Sequence, residues 1–334
     1  MKTAVFCCFV LSMLASVALS VEANPAGSQS RKLKTREFKF NYSAKLTSLS
    51  KGSHVRVWFP VPQTNQSQTI GEQSFTTPSQ IEFAVESVYG NKMGYFETTV
   101  DEFGPLKFNC SYDVQRSEIR ALDGAEGSDH HTKLTKDEYD LYLSSNKRVP
   151  VDGKPTSLLD KLTFSSDTID IARKLYDRVD SHVTYDKSNP GYGNGDVLWV
   201  CDSQFGNCTD FHSLFISFAR SKGIPARFEI GFPLPPKRGK GKIGGYHCWG
   251  LFYSNDHGWV PVDISEADKH PEMKEYYFGN ITENRVTFST GRDIDLVPKQ
   301  EGPALNYFVY PYAEVDGVPL PKKQIEIEFT YADK

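Results

Sequence analysis

The sequence predicts an α+β protein: an all-β sandwich followed by a unit in which helices pack on a sheet. Three patterns carry that expectation. Stretches between Phe38 and Tyr112 alternate apolar and polar residues between Gly, Pro and Asn turns. Apolar residues recur at helical spacing after Asp167 and again after Cys208. An aromatic run from Tyr246 to Tyr253 is followed, across a polar loop, by the short run Gly258 to Ile264. Period-two alternation marks half-buried strands, and recurrence at three and four residues marks one face of a helix.

Taken in chain order, Met1-Lys2, an apolar run from Ala4 to Leu19 and then Val21-Glu22-Ala23 form a signal-peptide pattern over residues 1–23. That run is shorter than the ~20 residues a spanning helix needs. No later segment is apolar enough to cross a membrane, so a secreted or periplasmic protein is expected, without an integral membrane segment once Cys7 and Cys8 leave with the signal. Residues 24–34 read as a polar linker and 35–120 as the sandwich domain. Its expected strands hold Phe38, Phe40 and Tyr42 on one face, then His54 to Phe59, Ile81 to Val88, Tyr95 to Val100 and Leu106 to Tyr112. Pro60 and Pro62 end the second of these, because proline removes a ladder donor. Residues 121–155, including His130-His131, read as a connecting segment, and 156–334 as a helix-containing second domain.

Within that second domain, a helix is expected from Asp167 to Val179, capped by Ser165 or Ser166. Asn189 to Gly195 is a loop placed to line the approach to the next helix. That helix begins at Cys208, buries Phe211, Leu214, Phe215, Phe218 and Ala219 on one face, and stops at Gly223 and Pro225. Asp316-Gly317 marks a turn before a last strand that alternates Ile325, Ile327, Phe329 and Tyr331.

The chemistry centres on Cys208. In a first helical turn, unpaired backbone N–H groups and the positive end of the helix dipole favour the thiolate. A hairpin centred on Asn255 sets Leu251 opposite Trp259 and His247 opposite Asp263, which puts a carboxylate beside an imidazole. Taken singly, a cysteine is most often a small packed hydrophobe and a histidine a satisfied core residue. Together, Cys208, His247 and Asp263 have the thiolate, imidazolium and carboxylate of cysteine acyl transfer. The Gln204 side chain is an oxyanion candidate by its position before Cys208, with a turn role equally open.

Gly206-Asn207-Cys208-Thr209-Asp210-Phe211-His212, Gly223-Ile224-Pro225-Ala226-Arg227, Tyr246-His247-Cys248-Trp249 and Gly258-Trp259-Val260-Pro261-Val262-Asp263 resemble the core of the transglutaminase-like superfamily, in its bacterial branch. The resemblance runs from near Tyr185 to near Leu296. It implies a papain-like α+β core with Cys208 as nucleophile, His247 as general base and acid, and Asp263 as the orienting carboxylate. The superfamily holds amine-transferring transglutaminases, peptidases, amidases and inactive relatives, so the fold does not fix the reaction. The expected function is cysteine-dependent acyl transfer on amide bonds of a protein or peptide substrate, by a peptidase or amidase. The alternatives are protein cross-linking by amine transfer and a non-catalytic binding protein that keeps the fold.

Composition narrows the partners. A formal net charge of −4 gives no support for nucleic-acid binding, and 22 Phe with 17 Tyr suffice for sizeable cores. Lys237, Arg238, Lys240 and Lys242, interleaved with glycines, read as a solvated loop; a lesser reading has them border the site and favour acidic substrates. Cys110, Cys201, Cys208 and Cys248 leave disulfide pairing open. A zinc set of Cys201, Cys208, His247 and Cys248 lacks a C-x-x-C pair, and no acidic cluster has calcium-loop spacing. Neither a cofactor nor a metal is therefore expected. Arg285 and Arg292 read as partners for acids within the fold in preference to a clamp for a substrate carboxylate.

Overall fold

Alternate residues of the strand Thr35–Leu46 are buried, with Phe38, Phe40 and Tyr42 wholly so. Period-two burial of this kind needs a partner surface on one face of the strand. A five-stranded antiparallel sheet supplies the frame, ordered Lys240–Ile243, Ile325–Asp333, Thr35–Leu46, Leu106–Ser117 and Gln68–Thr76. A second five-stranded sheet is ordered Val318–Pro319, Tyr312–Val315, His54–Pro60, Lys92–Thr99 and Glu82–Val85. The structure is a computed structural model that describes Met1 and residues 32–123 and 133–334. The signal-peptide pattern, Cys7, Cys8, most of the linker and His130-His131 lie outside the described residues.

The arrangement is α+β, with a β-rich amino-terminal region and a mixed helix and sheet core. The two are not separated in sequence as expected, since residues 31–334 form one compact unit. Both sheets of the sandwich are completed by strands beyond residue 239, and Ile325–Asp333 lies beside Thr35–Leu46 in the interior of its sheet. The basic stretch is likewise no free loop. Lys240–Ile243 pairs with Ile325–Asp333, Lys242 meets Glu328, and Arg238 donates to Glu283.

The third sheet carries the helices. It is antiparallel and four-stranded, ordered Gly258–Val262, His247–Ser254, Ala226–Pro233 and Arg285–Thr290. Phe232 and Phe288 from this sheet pack on Phe40, Tyr42 and Phe329 of the sandwich, with the Phe232 and Phe329 ring centroids 4.1 Å apart. The hairpin register differs from the expected one. Tyr253 faces Trp259 and Leu251 faces Pro261, because three residues, 255–257, form the turn and Gly258 follows at φ 65°. A left-handed glycine after a turn is the bulge that three-residue hairpin loops use. The shift preserves the face of every side chain.

The helix Thr168–His182 buries Ala172, Leu175, Tyr176 and Val179 as expected, but its cap is Asp167, which accepts the Asp170 N–H at 2.7 Å. The helix Cys208–Ser221 differs more. Every residue from Cys208 to Arg220 is buried, so its polar side is covered as well. Arg220 donates to the Ala226 and Ser144 carbonyls, Ser217 to the Pro150 carbonyl, and Ser213 accepts from Arg292. Each polar group thus finds a partner in the protein in place of water.

Gly231 is the tightest point in the sheet. A Cβ there would lie 1.8 Å from the Val286 carbonyl oxygen, at the bulge where Ala226–Pro233 and Arg285–Thr290 shift register. The backbone itself would have to move. Gly231→Ala is expected to destabilise the fold by about 1–3 kcal/mol or more, read as a lowered urea midpoint.

Candidate active site

Cys208 is the first residue of its helix, and the turn that holds it is cross-braced. Asn207 caps the helix through its side chain, and Asp210 accepts the Asn207 N–H at 2.9 Å to complete a capping box. The same carboxylate accepts the Gly193 N–H at 2.6 Å and the Gly195 N–H at 2.9 Å. The glycine loop expected to line the approach is therefore fastened to the start of the helix. Cys208 is 3% exposed.

His247 opens its strand, and Asp263 stands at the junction where Gly258–Val262 turns into the helix Ile264–Lys269. Asp263 is thus a helix cap and not a strand residue, reached by His247 on a diagonal across the hairpin. His247 Nε2 lies 2.7 Å from Asp263 Oδ2. The ring leaves Nδ1 for Cys208. Asp263 also accepts from Arg285 Nη2 at 3.0 Å, from Ser265 Oγ at 3.2 Å and from the Glu266 N–H at 3.2 Å, and it is wholly buried.

The charges follow from these contacts. Burial opposes ionisation of Asp263, but His247 and Arg285 outweigh it and hold the carboxyl below its usual range. Burial likewise disfavours the imidazolium, yet the Asp263 charge raises His247 to about 9. Desolvation works against the Cys208 thiolate, but a hydrogen bond from Cys248 and the charge of His247 hold the thiol well below its ordinary value. Burial pushes the other thiols up, Cys110 to about 12 and Cys201 to about 11. The four cysteines among the described residues are all free.

Around this centre, His212 is buried and its pKa is lowered by desolvation, which keeps the ring neutral. Its Nε2 accepts the Ile264 N–H at 3.0 Å, so its proton sits on Nδ1, 3.8 Å from Cys248 Sγ. The Cys208, His247 and Asp263 of the sequence reading are brought together. Gln204 is not shown at the thiol: it is an exposed, left-handed helix cap (φ 57°) whose carbonyl accepts the Thr184 N–H. Arg285, read from sequence only as a structural partner, is the second cation on Asp263. Arg292 spends its donors on Ser213, Asn194 and Asn306. Asn207-Cys208-Thr209 matches a glycosylation acceptor pattern by chance, since the Asn207 side chain is the helix cap and the residue is 5% exposed.

A cleft of about 480 Å³ has His247 and Tyr246 in its wall, with Leu234, Lys242, Glu266 and Tyr277 among its other lining residues. Of the basic stretch only Lys242 lines it, and Glu328 already meets that charge.

Comparison with known proteins places these features. Residues 156–264 match the family described as the transglutaminase-like superfamily. An uncharacterised protein of Haemophilus influenzae is 27% identical over 351 residues, spanning 89% of this chain and 90% of its own. A solved structure described as a "Putative Cysteine Protease" from Cytophaga hutchinsonii superposes with a TM-score of 0.54 at 16% identity, covering 90% of this chain and 98% of that one. At that identity the likeness is one of fold, and it takes in the sandwich as well as the helical core.

Alkylation by iodoacetamide should single out Cys208 at neutral pH, with a half-maximal rate well below pH 8.5, the ordinary thiol pKa being ~8.5. Peptide mass spectrometry reads the site, and Cys110 and Cys201 should stay unlabelled. Asp263→Asn removes the charge that raises His247, so the alkylation profile should move to higher pH. Because it also leaves Arg285 buried without its carboxylate, that variant should lose about 3–5 kcal/mol of stability in denaturant unfolding.

Proposed function

Because the chain belongs to the transglutaminase-like superfamily, we propose that it is a cysteine acyl-transfer enzyme acting on amide bonds of proteins or peptides. Cys208 is the nucleophile, His247 the general base and acid, and Asp263 the carboxylate that orients and charges the imidazole. One observation carries the reading: among the described residues, the only thiol lowered in pKa lies beside the imidazole that a buried carboxylate raises to about 9. A pair held in that state needs no proton removed before attack.

The thiolate attacks the amide carbonyl carbon and the carbonyl electron pair moves onto oxygen. As that oxyanion collapses, the C–N bond breaks and the His247 imidazolium gives its proton to the leaving amine. A thioester remains on Cys208, beside a neutral His247. His247 then takes a proton from the incoming acceptor, the acceptor displaces Cys208, and the thiolate–imidazolium pair is restored. We assign water as the acceptor, because Lys187, Glu266 and Lys269 line the cleft and charged groups keep it hydrated. The pattern of residues 1–23 is the ground for placing the enzyme outside the cytoplasm, secreted or periplasmic. The sandwich then serves as a support that carries one wall of the cleft through Lys242 and Ile243.

The test is hydrolysis of a fluorogenic peptide-amide library with acyl-enzyme trapping by mass spectrometry. Cys208→Ala should lose about 10³-fold or more of the activity and all of the trapped adduct. A labelled primary amine should capture only a minor share of the acyl product. Capture of most of it would reassign the enzyme as an amine transferase, and no turnover on any amide would leave the binding-protein reading.

A further inference from the structure

Cys248 enters the acyl transfer derived above only as a donor to the Cys208 sulfur. A hydroxyl would do that better, since S–H is a weak donor. What a second thiol adds is redox chemistry. Its sulfur stands over the first turn of the helix, 3.8 Å from Thr209 Oγ1 and 3.8 Å from His212 Nδ1, the residue after Cys208 and the residue one turn on. Cys248 is wholly buried, Cys208 is 3% exposed, and neither is in a disulfide. The other two described cysteines belong elsewhere. Cys110 lies in the sandwich with Tyr42 and Phe75 as its strand partners, and Cys201 is on the helix Val197–Ser203.

We propose that Cys248 is a resolving cysteine: a hydroperoxide oxidises Cys208, and Cys248 traps it as a Cys208–Cys248 disulfide that a dithiol reverses. The proposal goes beyond amide chemistry but rests on the reading of Cys208 as a reactive thiolate. With hydrogen peroxide, the Cys208 thiolate attacks one oxygen and the O–O bond breaks. The sulfur is oxidised to a sulfenic acid, and the departing hydroxide takes the His247 imidazolium proton and leaves as water. The Cys248 sulfur then attacks the Cys208 sulfur and the S–O bond breaks. Hydroxide leaves with the Cys248 proton as a second water, so the two thiols supply the two electrons that reduce the peroxide.

The surroundings favour this order of events. The thiolate is the form that a peroxide oxidises, and it is held at Cys208. Burial, the bond to Cys208 and the Cys208 charge together raise the Cys248 thiol. A sulfenic acid is neutral, so oxidation of Cys208 removes that charge while His212 Nδ1–H still faces the Cys248 sulfur. Oxidation of one sulfur therefore activates the other. Burial also shields the sulfenic acid from bulky external thiols, whereas hydrogen peroxide is little larger than water. The disulfide removes the nucleophile and its donor at once, and it keeps Cys208 from the irreversible sulfinic step.

The test starts from reduced, desalted protein treated with a small excess of hydrogen peroxide at neutral pH. Non-reducing peptide mass spectrometry should find Cys208 joined to Cys248, with iodoacetamide labelling of Cys208 lost and then restored nearly completely by dithiothreitol. In Cys248→Ser, dimedone should trap a Cys208 sulfenic acid, and without dimedone the residue should pass to sulfinic acid that dithiothreitol does not restore. The cross-link is read in the wild type, so it decides the matter even if the variant fails to fold. A lasting dimedone adduct without the cross-link in wild type, a bridge from Cys208 to Cys201, Cys110 or a second chain, or equal recovery in Cys248→Ser would overturn the proposal. A wild-type Cys208 that alkylates no faster than an ordinary thiol sinks the nucleophile reading and this proposal with it. Fast alkylation with no Cys208–Cys248 cross-link sinks the resolving role alone.

Discussion

A carboxylate with no exposure to water organises this molecule. Asp263 stands at the end of one strand and the start of a helix, and it accepts from His247, Arg285, Ser265 and the Glu266 backbone. An isolated buried charge costs far more than a folded domain can spare, so the donors must be in place for the chain to fold with Asp263 ionised. They come from three places: the first residue of His247–Ser254, the first residue of Arg285–Thr290, and the turn that Asp263 itself caps. Satisfying one side chain therefore fixes the relative position of both strands and the helix. The imidazole gets its direction from the same requirement, because a ring committed to Asp263 through Nε2 can meet Cys208 only through Nδ1.

The thiol side follows a different rule. Cys208 lies in a helix buried from Cys208 to Arg220, where desolvation alone would raise a thiol, as it does for Cys110 and Cys201. What reverses the sign is donor density. A helix start, the Cys248 thiol and the imidazolium all face one sulfur, and none of them is a free solvent-exposed charge. Cys248 is the residue whose meaning changes most. Beside His247 in sequence it looks like a packing cysteine, but in space it is a thiol kept protonated within hydrogen-bond reach of the first turn.

The centre was legible in the sequence because each of its residues sits at a local signal. Cys208 follows a cap, His247 opens an aromatic strand, and Asp263 ends the strand across the turn. Local signals carry no information about which distant strand becomes a neighbour. The sandwich read from residues 35–120 is in fact completed by Tyr312–Val315 and Ile325–Asp333, and nothing within those segments names Thr35–Leu46 or His54–Pro60 as partner. Gln68–Thr76 was missed for a related reason. It is a sheet edge with most residues exposed, so its sequence, QTIGEQSFT, has no apolar face to show. Arg285 was read as a partner for an acid, but that the acid is Asp263 appears only when the fold closes. The hairpin register was misplaced at its turn, where Gly258 was read as the beginning of a strand and serves also as the bulge.

Closing the sandwich with late strands has a consequence for the site. Its outer strand, Lys240–Ile243, is joined to His247 through Gly244, Gly245 and Tyr246 alone. That short path makes the cleft wall continuous with a sheet edge on one side and with the charge centre on the other. The two ends are held by different forces. Lys240–Ile243 is fixed by backbone pairing to Ile325–Asp333 and by surface ion pairs of small worth, while His247 is fixed by a buried charge. Changes at the strand end can therefore reshape the cleft while the bonds that set the thiolate and the imidazolium stay as they are. The charge centre and the cleft wall are in this way mechanically adjacent but energetically separate, so one core can carry differently shaped clefts.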